Sequence, residues 1–148
     1  MATKVRNISA GLDEEEEQPA VETEATEEVA EKKAAFSYWT VGGKDYKLKL
    51  TTEQVMRLET KYGKNPITLI MSDEMPPLSV MLTFAQAALT PWHHGIKYED
   101  VRKLYDRYLD EGGSMTDFYN KILGRCFAIS GFFSRDQKEA ILKEIDAE

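Results

Sequence analysis

The chain has 148 residues, 42% hydrophobic and 30% charged, and carries a formal net charge of −7. That length favours one compact domain, and the composition suits a globular core facing water. No apolar run approaches the ~18–20 residues needed to cross a bilayer, which excludes a membrane-spanning helix.

Charge and aromatic content set the first 35 residues apart. They hold ten acids, including the run Asp13–Glu17, against four bases, and none of the chain's 15 aromatics. The remainder balances 16 acids against 15 bases. A segment so charged and without aromatics cannot bury enough apolar surface to offset its ordering entropy. Residues 1–35 are therefore expected to form a disordered acidic arm, with a fraying helical turn near Glu27–Lys33, ahead of a hairpin-plus-helix domain over 36–148. Deleting the arm is expected to leave the domain's stability unchanged, since no core contact would be lost. The N-terminus lacks the apolar stretch of a secretory signal, and the one cysteine, Cys126, cannot make an internal disulfide. Both features fit a chain kept in a reducing compartment.

Phe36–Val41 and Tyr46–Leu50 are rich in aromatic and β-branched residues and flank Gly42-Gly43-Lys44-Asp45, a good hairpin signal. Tyr46, Leu48 and Leu50 alternate with Lys47 and Lys49, giving one dry and one wet face. Thr51 and Gln54 fit a capping box that opens a helix with Val55, Leu58 and Tyr62 on one face, ended by Gly63. Asn65-Pro66 starts a short helix, and a third runs from Pro77 to about Leu89. A fourth, about Tyr98 to Leu109, places Val101, Leu104, Tyr105, Tyr108 and Leu109 at helical spacing. Ser114 and Asp117 form a second capping box. The helix that follows, about Met115 to Ser130, is apolar over so wide an arc that it is expected to lie at the centre of the bundle. Ser134 and Gln137 cap a last helix bearing Ala140, Ile141, Leu142 and Ile145. The fold class expected is mainly α: a compact bundle of five to six helices with an N-terminal β-hairpin.

Few residues carry chemistry. His93-His94 are adjacent, so on a regular element they point apart, and the chain has no third histidine for a metal site. They read as a loop pair. Cys126 lies on a dry helical face and reads as a small core residue without a histidine to activate it. Gly42-Gly43-Lys44 lacks phosphate-loop spacing, and Asp106, Asp110 and Glu111 lack a calcium-loop pattern. No catalytic, metal or cofactor site is expected, and the protein is read as not an enzyme. Without a basic stripe, nucleic-acid binding is not expected either. Tyr38, Trp39, Trp92, Phe132 and Phe133 lie on a strand, in a loop and at a helix break. Clustered at the surface, they would make a partner-binding patch.

Four blocks carry a family resemblance: YKLKLTTEQVMRLETKYGKNPITLI, MPPLSVMLTFAQAAL, HGIKYEDVRKLYDRYLDEGGSMTDFYNKIL and the closing SGFF. In order and spacing they resemble the tail assembly chaperones of long-tailed phages and prophages of Gram-positive bacteria, over about 88 of the 148 residues. The resemblance implies a small helical, non-enzymatic factor of the host cytoplasm that coats the tape measure protein, recruits tail tube subunits and is absent from the mature virion. It also implies a short form alongside a longer, frameshifted one, and leaves room for self-association. It does not extend over the acidic arm. The alternatives are a structural phage tail component and a general helical protein-binding adaptor.

Overall fold

The chain is described by a computed structural model over residues 11–12 and 35–147. Among the described residues the two strands are β1 (Ser37–Val41) and β2 (Lys44–Leu48), paired antiparallel with Trp39 opposite Tyr46 and Val41 opposite Lys44. The link is therefore two residues long rather than four. Gly42 and Gly43 have φ of 63° and 78°, the left-handed pair that a tight hairpin turn requires and that glycine adopts without strain. The turn is anchored as well: the Gly42 N–H donates to Glu111 Oε1 at 3.0 Å, and Arg107 donates to the other oxygen of that carboxylate at 2.9 Å.

Six helices follow: α1 (Thr52–Tyr62), α2 (Pro66–Ile70), α3 (Leu78–Leu89), α4 (Tyr98–Asp110), α5 over residues 115–129, and α6 (Arg135–Ala147). Their ends obey local chemistry. Thr51 accepts from the Gln54 N–H at α1, Asn65 from Ile67 at α2, and Ser114 from Asp117 at α5. Gly63 closes α1 in the left-handed conformation. The capping box at α6 is complete, with Ser134 and Gln137 bonded in both directions at 3.0 and 3.2 Å. At α1 only half the expected box forms, because the Gln54 side-chain oxygen is buried without a partner.

The central helix is α3, not α5. Every residue from Met81 to Thr90 is buried, whereas α5 leaves Met115 40% exposed. The reason is side-chain size. Ala85, Ala87 and Ala88 let neighbouring elements approach from all sides, so α3 is covered by α1, α4, β2 and α5 at once. A pattern read for one apolar face understates a helix whose small residues are buried all round. Leu109, expected on the inner face of α4, is 41% exposed near its end.

Helix α5 is continuous but changes register. It begins as α (Met115–Asp117), widens to π over Phe118–Leu123 and returns to α over Gly124–Ile129. The Gly124 N–H reaches back five residues to Tyr119 O. The extra residue per turn helps present an arc of large side chains inward, which is why the sequence reads as apolar over so wide an angle.

The outer edge of β2 and the two residues that follow it are not left open. The Lys47 N–H donates to His93 Nε2 (3.2 Å), Lys49 N–H to Ala88 O (3.2 Å) and Leu50 N–H to Ser130 Oγ (3.0 Å). These bonds fasten a lone hairpin, which would be marginal in water, to the bundle. Residues 1–35, expected as an arm, lie outside the described residues except for Gly11, Leu12 and Ala35. Leu12 corrects the expectation that this segment makes no core contact. It is 1% exposed within the main hydrophobic cluster.

Candidate protein-binding surface

Strand alternation decides the first pair of aromatics. Trp39 points inward and is fully buried, its ring centroid 5.0 Å from Phe118 and 5.7 Å from Tyr108. It is a core residue and is removed from the binding candidates. Tyr38 points the other way and is half-buried, its ring 6.2 Å from that of Phe36.

Phe36 in turn meets Trp92 edge-on at 5.0 Å, and the Trp92 indole N–H donates to Lys49 O at 3.3 Å. The Lys47 and Lys49 ammonium groups lie 5.1 and 5.9 Å from the Phe36 ring, within cation–π range. Trp92 and Phe132 line the same open groove, together with Val55, Met56 and Asn65. Phe132 stacks on Phe127 at 5.0 Å and an interplanar angle of 25°. On the far side of Phe127 lies a second, mostly apolar groove, lined by Ile70, Met71, Tyr119, Phe133 and α6 residues Ile141 and Ile145. Four of the five candidates thus stand half-buried along two grooves and one aromatic cluster linked through Phe36 and Phe127.

Two of the exposed methionines complete this surface. Met56 is 58% and Met71 60% exposed, one in each groove. Unbranched and polarizable, methionine packs against varied apolar shapes. Met56 falls among Glu53, Thr60 and other polar residues of α1, so helical periodicity offers no reason to select it. A long apolar side chain on a polar face is the one signal that could have.

The remaining candidates are accounted for structurally. His93 Nε2 accepts from Lys47, and burial, then Lys44, Lys47 and His94, lowers its pKa from the ordinary histidine value. Cys126 is fully buried, and burial pushes its thiol up to about 12. Glu111 is held below the usual carboxylate range, first by the Gly42 N–H and then by Arg107. Among the described residues no group of three or more His, Cys, Asp or Glu could hold a metal ion, and no helix is long and apolar enough to cross a membrane.

These features define a class: a helical domain with an N-terminal hairpin and a grooved aromatic–methionine face. Residues 32–148 match a family of unknown function, DUF6096, and the chain belongs to that family. No curated protein and no solved structure matches it significantly.

Proposed function

We propose that the protein is a non-enzymatic tail assembly chaperone, acting in the host cytoplasm, that binds the tape measure protein, keeps it soluble and recruits tail tube subunits. The resemblance of the ordered sequence blocks motivates this reading. The observation that carries it is the groove flanked by Trp92 and Phe132 with the exposed Met56 between α1 and the helix break. A tape measure protein is a long helical chain whose apolar stripes need cover before the tube forms around it. An open groove of rigid aromatics and adaptable methionine suits successive stripes of one helix, because amphipathic helices dock by inserting side chains at i, i+3, i+4 and i+7. Contacts of this kind are individually weak, which lets the tube displace the chaperone.

Co-expression tests it. The wild-type chain should raise the soluble fraction of the tape measure protein and co-elute with it, and the Trp92→Ala/Phe132→Ala chain, with unchanged circular dichroism, should do neither. No complex with the wild-type chain would overturn the proposal. Stoichiometric recovery of the chain from purified mature tails would instead favour a structural tail component.

A further inference from the structure

The hairpin carries three lysines that no carboxylate neutralises. Lys44, Lys47 and Lys49 make no ion pair among the described residues, whereas Arg102, Arg107, Lys121 and Arg125 each meet an acid. They lie over aromatic rings instead. Lys44 Nζ is 5.0 Å from the Tyr46 ring centroid, and Lys47 and Lys49 share the Phe36 ring at 5.1 and 5.9 Å. Phe36 is itself wedged against Tyr38 and Trp92, each packed edge-on, so both ammonium groups are partly positioned before any partner arrives. The one acid between Phe36 and Leu50 is Asp45, and the Thr40 hydroxyl donates to it at 2.5 Å. Glu111, near the turn, is bonded to Gly42 and Arg107. Lys44 and Lys47 are exposed and Lys49 is half-buried. A cationic face without counter-charge thus stands on a chain whose formal charge is −7.

We infer that this face, centred on Lys47, Lys49 and Phe36, docks an acidic segment of a partner protein that carries carboxylates two residues apart on an extended backbone. Charge complementarity and spacing select this occupant. Lys47 and Lys49 are two residues apart, about 7 Å along an extended chain, and the side chains of an extended partner repeat at the same interval. The outer edge of β2 is already bonded to His93, so the segment meets side chains rather than adding a strand there. Nucleic acid fits less well. Bases stack on open ring faces, but the Phe36 face is taken by ammonium groups and its neighbours meet it edge-on. None of the three cations is an arginine, whose planar fork matches phosphate. The face borders the groove at Lys49 and Trp92, yet it recognises charge rather than apolar stripes, so it goes beyond the chaperone reading and does not rest on it.

The probe is the peptide ETETET, blocked at both ends and titrated into the isotopically labelled full chain while amide NMR shifts are followed. Shifts should concentrate at residues 36–49 and 92–94, and QTQTQT should cause none. Lys47→Gln/Lys49→Gln should weaken binding about tenfold, through the loss of two charge contacts. Lys64→Gln/Lys103→Gln changes the net charge equally at exposed positions elsewhere and should leave the affinity within about twofold. Phe36→Leu keeps the lysines but removes the ring that holds them, and should weaken binding about threefold. No shifts in the unmodified chain, or equal weakening by the two double variants, overturns the inference. Tighter binding of hexathymidylate than of ETETET would give the face to nucleic acid. A wild-type dimer that Lys47→Gln/Lys49→Gln dissociates would give it to a second copy. Either result overturns a separate acidic partner. None of these outcomes depends on a tape measure client.

Discussion

The Ser37 hydroxyl donates to the carbonyl of Ile122 across 3.0 Å, joining the first residue of β1 to the π turn of α5. The turn's wider ring shifts its hydrogen bonding from i→i+4 to i→i+5, and a side-chain donor from outside helps satisfy its carbonyls. Ser37 is 1% exposed, so water cannot replace the bond. Ser37→Ala should destabilise the fold by about 1–2 kcal/mol, the cost of a lost buried hydrogen bond. Urea denaturation should show a lower midpoint with unchanged slope.

Two tyrosines, Tyr119 half-buried and Tyr105 buried, should respond differently to losing their hydroxyls. The Tyr119 hydroxyl donates to Ile70 O at 2.6 Å and ties α5 to α2. Tyr119→Phe should cost about 1 kcal/mol. The Tyr105 hydroxyl is buried without a partner, although its ring packs edge-on to Phe118 at 5.2 Å. Tyr105→Phe keeps the ring and removes the unpaired group, so it should be neutral or stabilising by up to about 1 kcal/mol. The thermal midpoint should fall for Tyr119→Phe and hold or rise for Tyr105→Phe.

Local signals were readable where one residue type has one physical use. The glycine pair, the Thr51, Asn65, Ser114 and Ser134 caps and the alternation in β2 all predict what forms. Three features escaped because they depend on partners distant in sequence. Ala85, Ala87 and Ala88 look weakly apolar until four elements close around them. Gln86 looks like a surface residue until Leu12, 74 positions away, supplies its donor. Leu12 itself is hidden beside a run of acids, where composition argues for solvent. At the surface, strand alternation requires that only one of Tyr38 and Trp39 face out, but which one depends on register against α5. Phe118 settles it by packing on the indole.

Cys126 offers a direct measure of opening. Its thiol is fully buried, 3.9 Å from the Ser130 hydroxyl, and its pKa is pushed up to about 12 by burial. Thiolate, not thiol, attacks disulfides. At pH 8 a chromogenic disulfide reagent should therefore leave the native chain almost untouched and react at once in denaturant. Ser130→Ala removes the hydroxyl that accepts from Leu50 N–H and donates to Cys126 O at 2.6 Å. That variant should lose about 1–2 kcal/mol of stability and label faster.

His93 should make stability depend on pH near neutrality. Its Nε2 can accept from Lys47 only while unprotonated, and burial, then Lys44, Lys47 and His94, holds its folded-state pKa below the ordinary 6.5. The unfolded chain therefore binds the proton more readily, and stability rises with pH wherever it does so. The stabilisation is complete above about pH 6.5 and declines as the pH falls through the folded-state value. Glu99 and Glu111, also depressed, act in the same direction, but only below the carboxylate value of 4.5. Between pH 7 and 5.5 the melting temperature of the wild-type chain should therefore fall, mainly through His93. His93→Gln keeps an acceptor for Lys47 but removes the proton-binding group. Its melting temperature at pH 7 should lie near that of the wild type, within about 1 kcal/mol of stability. Its decline toward pH 5.5 should be shallower, and an unchanged slope would assign the pH dependence to other groups.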